Sequence, residues 1–134
     1  MYGSDDDSSD ELRANDGTGK LLVGANNTLP ILSVDEDTVE EVAGDIRARE
    51  MPGLAAMHTL FVREHNRLCD LLISKYPTKD EEFYFENARR ILIAEMQNTV
   101  YSEYLPVVLG ENAMKEGKLG IFLSYYIFLV LWVE

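Results

Sequence analysis

The sequence has little positive charge, one cysteine and no apolar run at its start, and each absence removes a class of protein. Residues 1–50 carry 13 acidic and 4 basic side chains, within a net charge of −12 for the chain. Such a field repels phosphate groups, and no basic stripe alternates with aromatics, which excludes nucleic acid as a partner and disfavours membrane surfaces. Cys69 cannot form an internal disulfide, so we expect a buried, inert thiol. The first seven residues show no secretory signal, so either the protein stays inside the cell or its true start is missing.

A long helix is predicted over residues 53–75. Pro52 suits a first helical turn, because its missing N–H has no intrahelical partner there. Apolar residues then recur at helical spacing and define one stripe: Leu54, Met57, Phe61, Leu68 and Leu72. Tyr76-Pro77 should end this helix.

A second helix is predicted over residues 79–105. Thr78 and Glu81 fit a capping box at its start, and Leu105-Pro106 should end it. The short link predicts that the two helices pack antiparallel, stripe against stripe. The chain therefore has room for one domain that is mainly α, an antiparallel helix pair preceded by an acidic, loop-rich segment.

The segments outside this helix pair carry weaker signals. Residues 1–46 are mostly loop, with a hairpin of Leu21–Val23 and Leu29–Leu32 around Asn26-Asn27 as one interpretation. Residues 121–133 are apolar except for Ser124, but a helix of that length reaches only about 20 Å, so a transmembrane span is not expected. An interfacial anchor is disfavoured because the tail has no cationic face.

Several metal and phosphate motifs fail on spacing. Gly17–Lys20 lacks the upstream glycine and the following hydroxyl residue of a phosphate loop. The acidic runs 5–10 and 35–37 lack the turn glycine of a calcium loop, so we expect no structural calcium there. His58 and His65 are seven residues apart, match neither zinc-protease spacing, and are interpreted as core or supporting histidines with no metal.

The segment 43–52, AGDIRAREMP, differs from these failed motifs. Together with MHTLFVREHNRL at 57–68, ENARR at 86–90 and YLPVVLG at 104–110, it closely resembles the animal haem peroxidase family. The similarity covers most of residues 1–115. It implies an internal piece of such a peroxidase, with a partial domain at 1–118 and an apolar tail of different origin at 119–134.

The resemblance implies roles for three residues and a haem cofactor. Arg47 matches the arginine beside the distal histidine, where a guanidinium stabilises charge on the departing peroxide oxygen. Glu50 matches a glutamate that forms an ester with a haem methyl group, and Met51 the position where some members carry a methionine bonded to a haem vinyl group. Without the family pattern, an exposed ion pair is the preferred interpretation of Arg47 and Glu50, and the resemblance reverses that preference.

The departures from the family pattern leave two hypotheses. The distal histidine, the aspartate of the other haem ester and the calcium loop would precede residue 1, and the proximal histidine would follow Gly110, so no residue is assigned as iron ligand. The chain is then either a peroxidase, using hydrogen peroxide with a halide or phenol and secreted like its family, or a catalytically dead helical fragment that packs on another chain. On its own, the chain is expected to show no histidine-ligated haem and no turnover.

Overall fold

The computed structural model describes residues 1–3, 6–35 and 38–117. Five α-helices lie in these ranges: α1 (Asp6–Glu11), α2 (Pro52–Lys75), α3 (Glu81–Thr99), α4 (Leu105–Leu109) and α5 (Glu111–Glu116). Two strands, β1 (Ile31–Asp35) and β2 (Thr38–Glu41), form one antiparallel hairpin. The predicted mainly α fold is confirmed. The chain divides into two compact units, residues 1–88 and 89–134.

Helix α2 begins and ends as predicted to within one residue. Pro52 occupies its first turn, and the helix ends at Tyr76, whose N–H still donates to the Leu72 carbonyl at 2.8 Å. The apolar stripe, however, is buried only in its second half. Leu68 and Leu72 are 5% and 8% exposed, whereas Leu54 and Met57 are 40% and 48% exposed. The first half of α2 therefore presents an apolar face to solvent.

The start of α3 corrects the predicted capping box. The helix begins at Glu81, and the Asp80 carboxylate accepts a hydrogen bond from the Phe83 N–H at 2.9 Å. Asp80 is therefore the N-cap, two residues after Thr78. Glu81 does not close a box, because its carboxylate accepts the Gly17 N–H at 3.1 Å and so holds a loop against the helix start.

Pro106 does not end the helical segment, contrary to the prediction. Val100–Tyr104 form a π-helical turn that leads directly into α4, where Pro106 lies in the first turn. Proline lacks an N–H and its ring clashes with the carbonyl four residues earlier in a regular helix. The wider turn, with its i to i−5 bond from Leu105 N–H to Val100 carbonyl, accommodates the ring.

The predicted hairpin around Asn26-Asn27 is wrong in its pairing. Ile31 pairs with Glu41 and Ser33 with Val39, so the strand pairs with residues after it, and Leu21 makes an isolated bridge with Arg13. Residues 25–27 form a short 3-10 turn in which Asn26 and Asn27 have φ of 60° and 57°. Asparagine tolerates this left-handed conformation, so the turn ends the segment without a hairpin.

The core of the first unit lies where α2 meets the start of α3 and the N-terminal loops. Its buried members are Leu12, Leu21, Leu29, Val62 and Phe85. The two helices meet near their link: the His65 and Phe85 rings are 5.3 Å apart edge to face, and the Tyr84 hydroxyl donates to the Tyr76 carbonyl at 2.7 Å. Val42 and Ala43 pack against this core, which ties the start of the loop at residues 42–51 to the helices.

Candidate functional site

Arg47 lies in a 3-10 helix, Ile46–Arg49, that directly precedes α2. Asp45 caps this helix, and its carboxylate accepts the backbone N–H of Arg47 at 2.9 Å. The same carboxylate binds the guanidinium from the side, taking Nε at 2.9 Å and Nη2 at 2.7 Å. Backbone and side chain of Arg47 are thus fixed by one neighbour two residues away.

The electrostatics of this pair follow from the bonds. Hydrogen bonds from Arg47, helped by its charge, hold the pKa of the Asp45 carboxyl far below its usual range. The bond to Asp45 in turn raises the pKa of the Arg47 guanidinium. Both groups therefore stay ionised under all ordinary conditions.

Glu50 and Met51 follow at once and are both exposed. Glu50 ends the 3-10 helix with its N–H bonded to the Arg47 carbonyl at 3.0 Å. Met51 is the N-cap residue of α2, and its side chain is 66% exposed. The structure therefore places all three predicted site residues on one short surface segment that runs from the 3-10 helix to the start of α2.

An open cleft of about 480 Å³ borders this segment on the Arg47 side. Its polar lining comes from Ser8, Glu11, Asp45 and Arg47, and its remaining walls are mainly apolar. Glu50 and Met51 do not line it. Among the three predicted site residues, Arg47 is therefore the one that lines this cleft.

Gly44 holds the site loop close to the start of the chain. A Cβ atom on Gly44 would collide with the backbone of Gly3 and lie 2.5 Å from the Met1 carbonyl carbon. No side chain fits there without displacing backbone. The loop next to Asp45 is thus set by a close backbone approach that requires glycine.

Helix α2 supports the N-terminal segments through two polar side chains, Arg63 and Asn66. Arg63 donates to the carbonyls of Asn27 at 2.7 Å and Asn26 at 3.1 Å. Asn66 accepts the Leu21 N–H at 2.8 Å and donates to the Leu21 carbonyl at 2.9 Å, as a neighbouring strand would.

The family model of the animal haem peroxidases matches residues 1–126. The chain belongs to the animal haem peroxidase family. Chorion peroxidase of Aedes aegypti is 40% identical over 124 residues, and human myeloperoxidase is 49% identical over 75 residues.

The chain spans only a small part of the length of these relatives. The match with chorion peroxidase covers 87% of this chain and 16% of that protein. Among solved structures, peroxidase A of Dictyostelium discoideum matches with a TM-score of 0.67 and 27% identity, covering 79% of this chain and 23% of that one. The chain therefore has the fold of the corresponding part of a peroxidase domain.

His65 is a buried structural residue, as interpreted from the sequence. It is fully buried, with Nδ1 2.9 Å from the Tyr2 hydroxyl and Nε2 2.9 Å from the Gly19 carbonyl. A carbonyl can only accept, so Nε2 carries the proton and Nδ1 accepts from Tyr2. Burial lowers the pKa of His65, which agrees with this neutral tautomer. Neither ring nitrogen is available to a metal.

His58 differs from His65. It is half-buried on α2, burial lowers its pKa, and its Nδ1 has no hydrogen-bond partner among the described residues. Asp45 and His58 are close enough to change each other's pKa, since each charge favours the ionised form of the other.

Cys69 confirms the interpretation of an inert thiol. It is fully buried, and its Sγ lies 3.3 Å from the Gly19 carbonyl. Burial raises the pKa of the thiol to about 12, so the reactive thiolate is essentially absent near neutral pH.

Two residues of the site region were given no role by the sequence. Asp45 stands within the motif that carries the family resemblance, and an aspartate immediately before a short helix is a known capping signal that could have identified it. Asn66 gives no comparable signal, because its partner Leu21 is 45 residues away.

Proposed function

We propose that this protein is a haem-dependent oxidoreductase that uses hydrogen peroxide, with Arg47 acting on the peroxide. The observation that supports this most directly is the fixed guanidinium of Arg47 at the edge of a cleft, within a segment that matches the peroxidase family. A permanent positive charge held there stabilises negative charge as it develops on the departing oxygen.

The residues around Arg47 fit the distal side of a haem. Glu50 offers an exposed carboxylate and Met51 an exposed thioether, the two groups that would hold the macrocycle by the family pattern. Ile46 is 88% exposed and Leu54 40% exposed, so apolar surface lies beside these groups for a flat apolar ligand to cover. When bound, the haem supplies the electron-transfer chemistry, and the protein positions and polarises its partners.

Arg47 acts by charge and donors, whereas Glu50 and Met51 act by attachment. Arg47 keeps its proton throughout, so it stabilises charge without serving as a general acid. An additional group must move the peroxide proton, and by family resemblance this is a histidine outside the matched motifs of this chain. His65 cannot take that role because both its ring nitrogens are engaged.

The reductant and the location follow from the resemblance alone. We propose a small reductant such as a halide or a phenol, and a secreted or extracellular protein. No helix among the described residues is long and apolar enough to cross a membrane.

The test compares two exposed arginines that each pair with a carboxylate. In a haem-loaded protein extended to carry the distal and proximal histidines, Arg47→Ala should slow hydrogen peroxide consumption on the order of a hundredfold, as expected for losing one transition-state donor. Arg67→Ala removes an arginine paired with Glu64 on α2 and should leave the rate unchanged. Stopped-flow mixing with peroxide measures the step.

The attachment role has a separate readout. Glu50→Gln should allow acid and organic solvent to extract more haem from the loaded protein, because the amide cannot form the ester. A folded, haem-loaded protein that consumes no peroxide would favour the alternative, a catalytically dead helical fragment that packs on another chain. Equal rates for Arg47→Ala and Arg67→Ala would refute the assignment of Arg47.

A further inference from the structure

We propose that Asp45 is a positioning residue that aims the Arg47 guanidinium at the peroxide. This inference rests on the proposed function and adds a residue to which neither sequence spacing nor the family pattern gave a role. Asp45 contacts no reacting atom in the proposal, and acts through Arg47 alone.

The geometry supplies the first argument. One carboxylate accepts three hydrogen bonds from the same residue, at the backbone N–H (2.9 Å), Nε (2.9 Å) and Nη2 (2.7 Å). An arginine side chain ordinarily has several rotatable bonds to order at an entropic cost. Because the Asp45 carboxylate binds both the backbone N–H and the guanidinium of Arg47, it selects a single side-chain orientation before a ligand binds.

The donor inventory supplies the second argument. Guanidinium has five N–H groups, and the side-on contact with Asp45 uses two of them, one on Nε and one on Nη2. Three remain, two on Nη1 and one on Nη2. The carboxylate therefore occupies one edge of the fork and leaves the other edge for an oxygen ligand.

The surroundings of Asp45 limit its own freedom. Its backbone caps the 3-10 helix in an extended conformation, and Gly44 before it is held against the backbone of Met1 and Gly3. Asp45 is thus a fixed reference from which Arg47 is oriented.

Stability alone does not account for the arrangement. The side chains of Arg47 and Asp45 are 68% and 35% exposed, and exposed ion pairs contribute little to folding. The pair also has an opposing effect, because a neighbouring negative charge weakens the field that Arg47 exerts on a ligand. If that weakening dominated, Asp45 would be an inhibitory latch, and its removal would accelerate the reaction.

Three variants separate charge from geometry. Asp45→Asn keeps the size of the side chain but replaces one carboxylate oxygen with an amide NH₂ group. The side chain can then no longer accept hydrogen bonds from Nε and Nη2 of Arg47 with two oxygens. Asp45→Glu keeps the charge on a longer side chain. Asp16→Asn is the matched control, because Asp16 is an exposed turn aspartate bonded to Thr18 and remote in sequence from the site.

The first measurement uses the full chain without haem. The Nε–H proton of Arg47, assigned by its loss in Arg47→Lys, should exchange slowly in the parent chain and at least tenfold faster in Asp45→Asn, with Asp16→Asn unchanged. Equal exchange in the parent chain and Asp45→Asn, with both folded by circular dichroism, would overturn the proposal whatever the protein's activity.

The second measurement is a double-mutant cycle in the haem-loaded protein. Asp45→Asn should slow peroxide consumption on the order of tenfold, as expected for a misplaced donor, and should cause no further loss in an Arg47→Ala background. The rate of peroxide consumption by Asp45→Glu should lie between the rates of the parent protein and of Asp45→Asn. If Asp45 had only a structural role, Asp45→Asn would slow peroxide consumption by the same factor with Arg47 present and in the Arg47→Ala background.

The outcomes distinguish this inference from the proposed function. If Arg47→Ala has no effect, the proposed function fails. If Arg47→Ala slows the reaction while Asp45→Asn leaves the rate unchanged or raises it, only the positioning role of Asp45 fails, and a raised rate identifies the latch. Should Asp45→Asn not fold, Asp45→Glu carries the same test.

Discussion

Asn66 gives the sharpest test of how α2 holds the N-terminal segments. Its amide makes two hydrogen bonds to Leu21, at 2.8 Å and 2.9 Å, and Leu21 is only 3% exposed. Asn66→Ala leaves both the N–H and the carbonyl of Leu21 without this partner. An unsatisfied buried polar group costs about 1–3 kcal/mol, so the free energy of unfolding should fall by about 2–5 kcal/mol.

The control is an identical change at an exposed helical position. Asn112 lies on α5 and is exposed, so Asn112→Ala should alter the free energy of unfolding by less than about 0.5 kcal/mol. Urea unfolding followed by circular dichroism measures both variants. Hydrogen exchange of the Leu21 amide provides a local measurement, and exchange should accelerate in Asn66→Ala and not in Asn112→Ala.

Asn66→Asp refines the interpretation. A carboxylate still accepts the Leu21 N–H but presents an oxygen to the Leu21 carbonyl, so this variant should also be destabilised. If Asn66→Ala and Asn112→Ala unfolded at the same urea concentration, with equal Leu21 exchange, the anchor would have no energetic role and the reasoning would be wrong.

Two further predictions concern titration. Because Arg47 lowers the pKa of Asp45, any stabilisation by the pair is present above the ordinary aspartate value of about 3.9 and is lost only as pH falls through the lower folded value. The Asp45 carboxyl carbon signal should therefore still report an ionised group at that pH, and a midpoint at or above it would contradict the pairing. Cys69, with its pKa raised to about 12, should resist iodoacetamide in the folded chain and react readily in urea, and labelling at the rate of a free thiol would disprove its burial.

The helices could be predicted from sequence where local signals agreed. Pro52, the apolar period and Tyr76-Pro77 together fixed α2 to within a residue. The start of α3 was missed because Thr78 and Asp80 are both good caps, and only the contact of Glu81 with Gly17 removes Glu81 from the capping box.

The N-terminal loops could not be predicted because distant residues decide them. Asn26 and Asn27 form a turn whose carbonyls are held by Arg63, 36 residues or more along the chain. The strand at residues 31–35 pairs with residues 38–41, whereas local sequence alone favoured a hairpin with residues 21–23.

The site was predictable only in part. Arg47, Glu50 and Met51 follow from the family pattern, and their roles stay proposals, as does the domain boundary at residue 118. The tail 119–134 lies outside the described residues. Asp45 escaped notice because a contact between residues two apart lies outside the three- and four-residue spacing by which helical neighbours are recognised.

The π-helical turn at Val100–Tyr104 has a consequence for how this chain changes in evolution. Such a turn holds one more residue than a regular helical turn, and each residue of an α-helix rotates the next by about 100°. Deleting a single residue there would rotate the exposed Val107 and Val108 around the axis by that angle, and would bring the Pro106 ring against the carbonyl four residues earlier. A one-residue insertion or deletion in this turn therefore changes which side chains of α4 face solvent, although the sequence of α4 is unchanged.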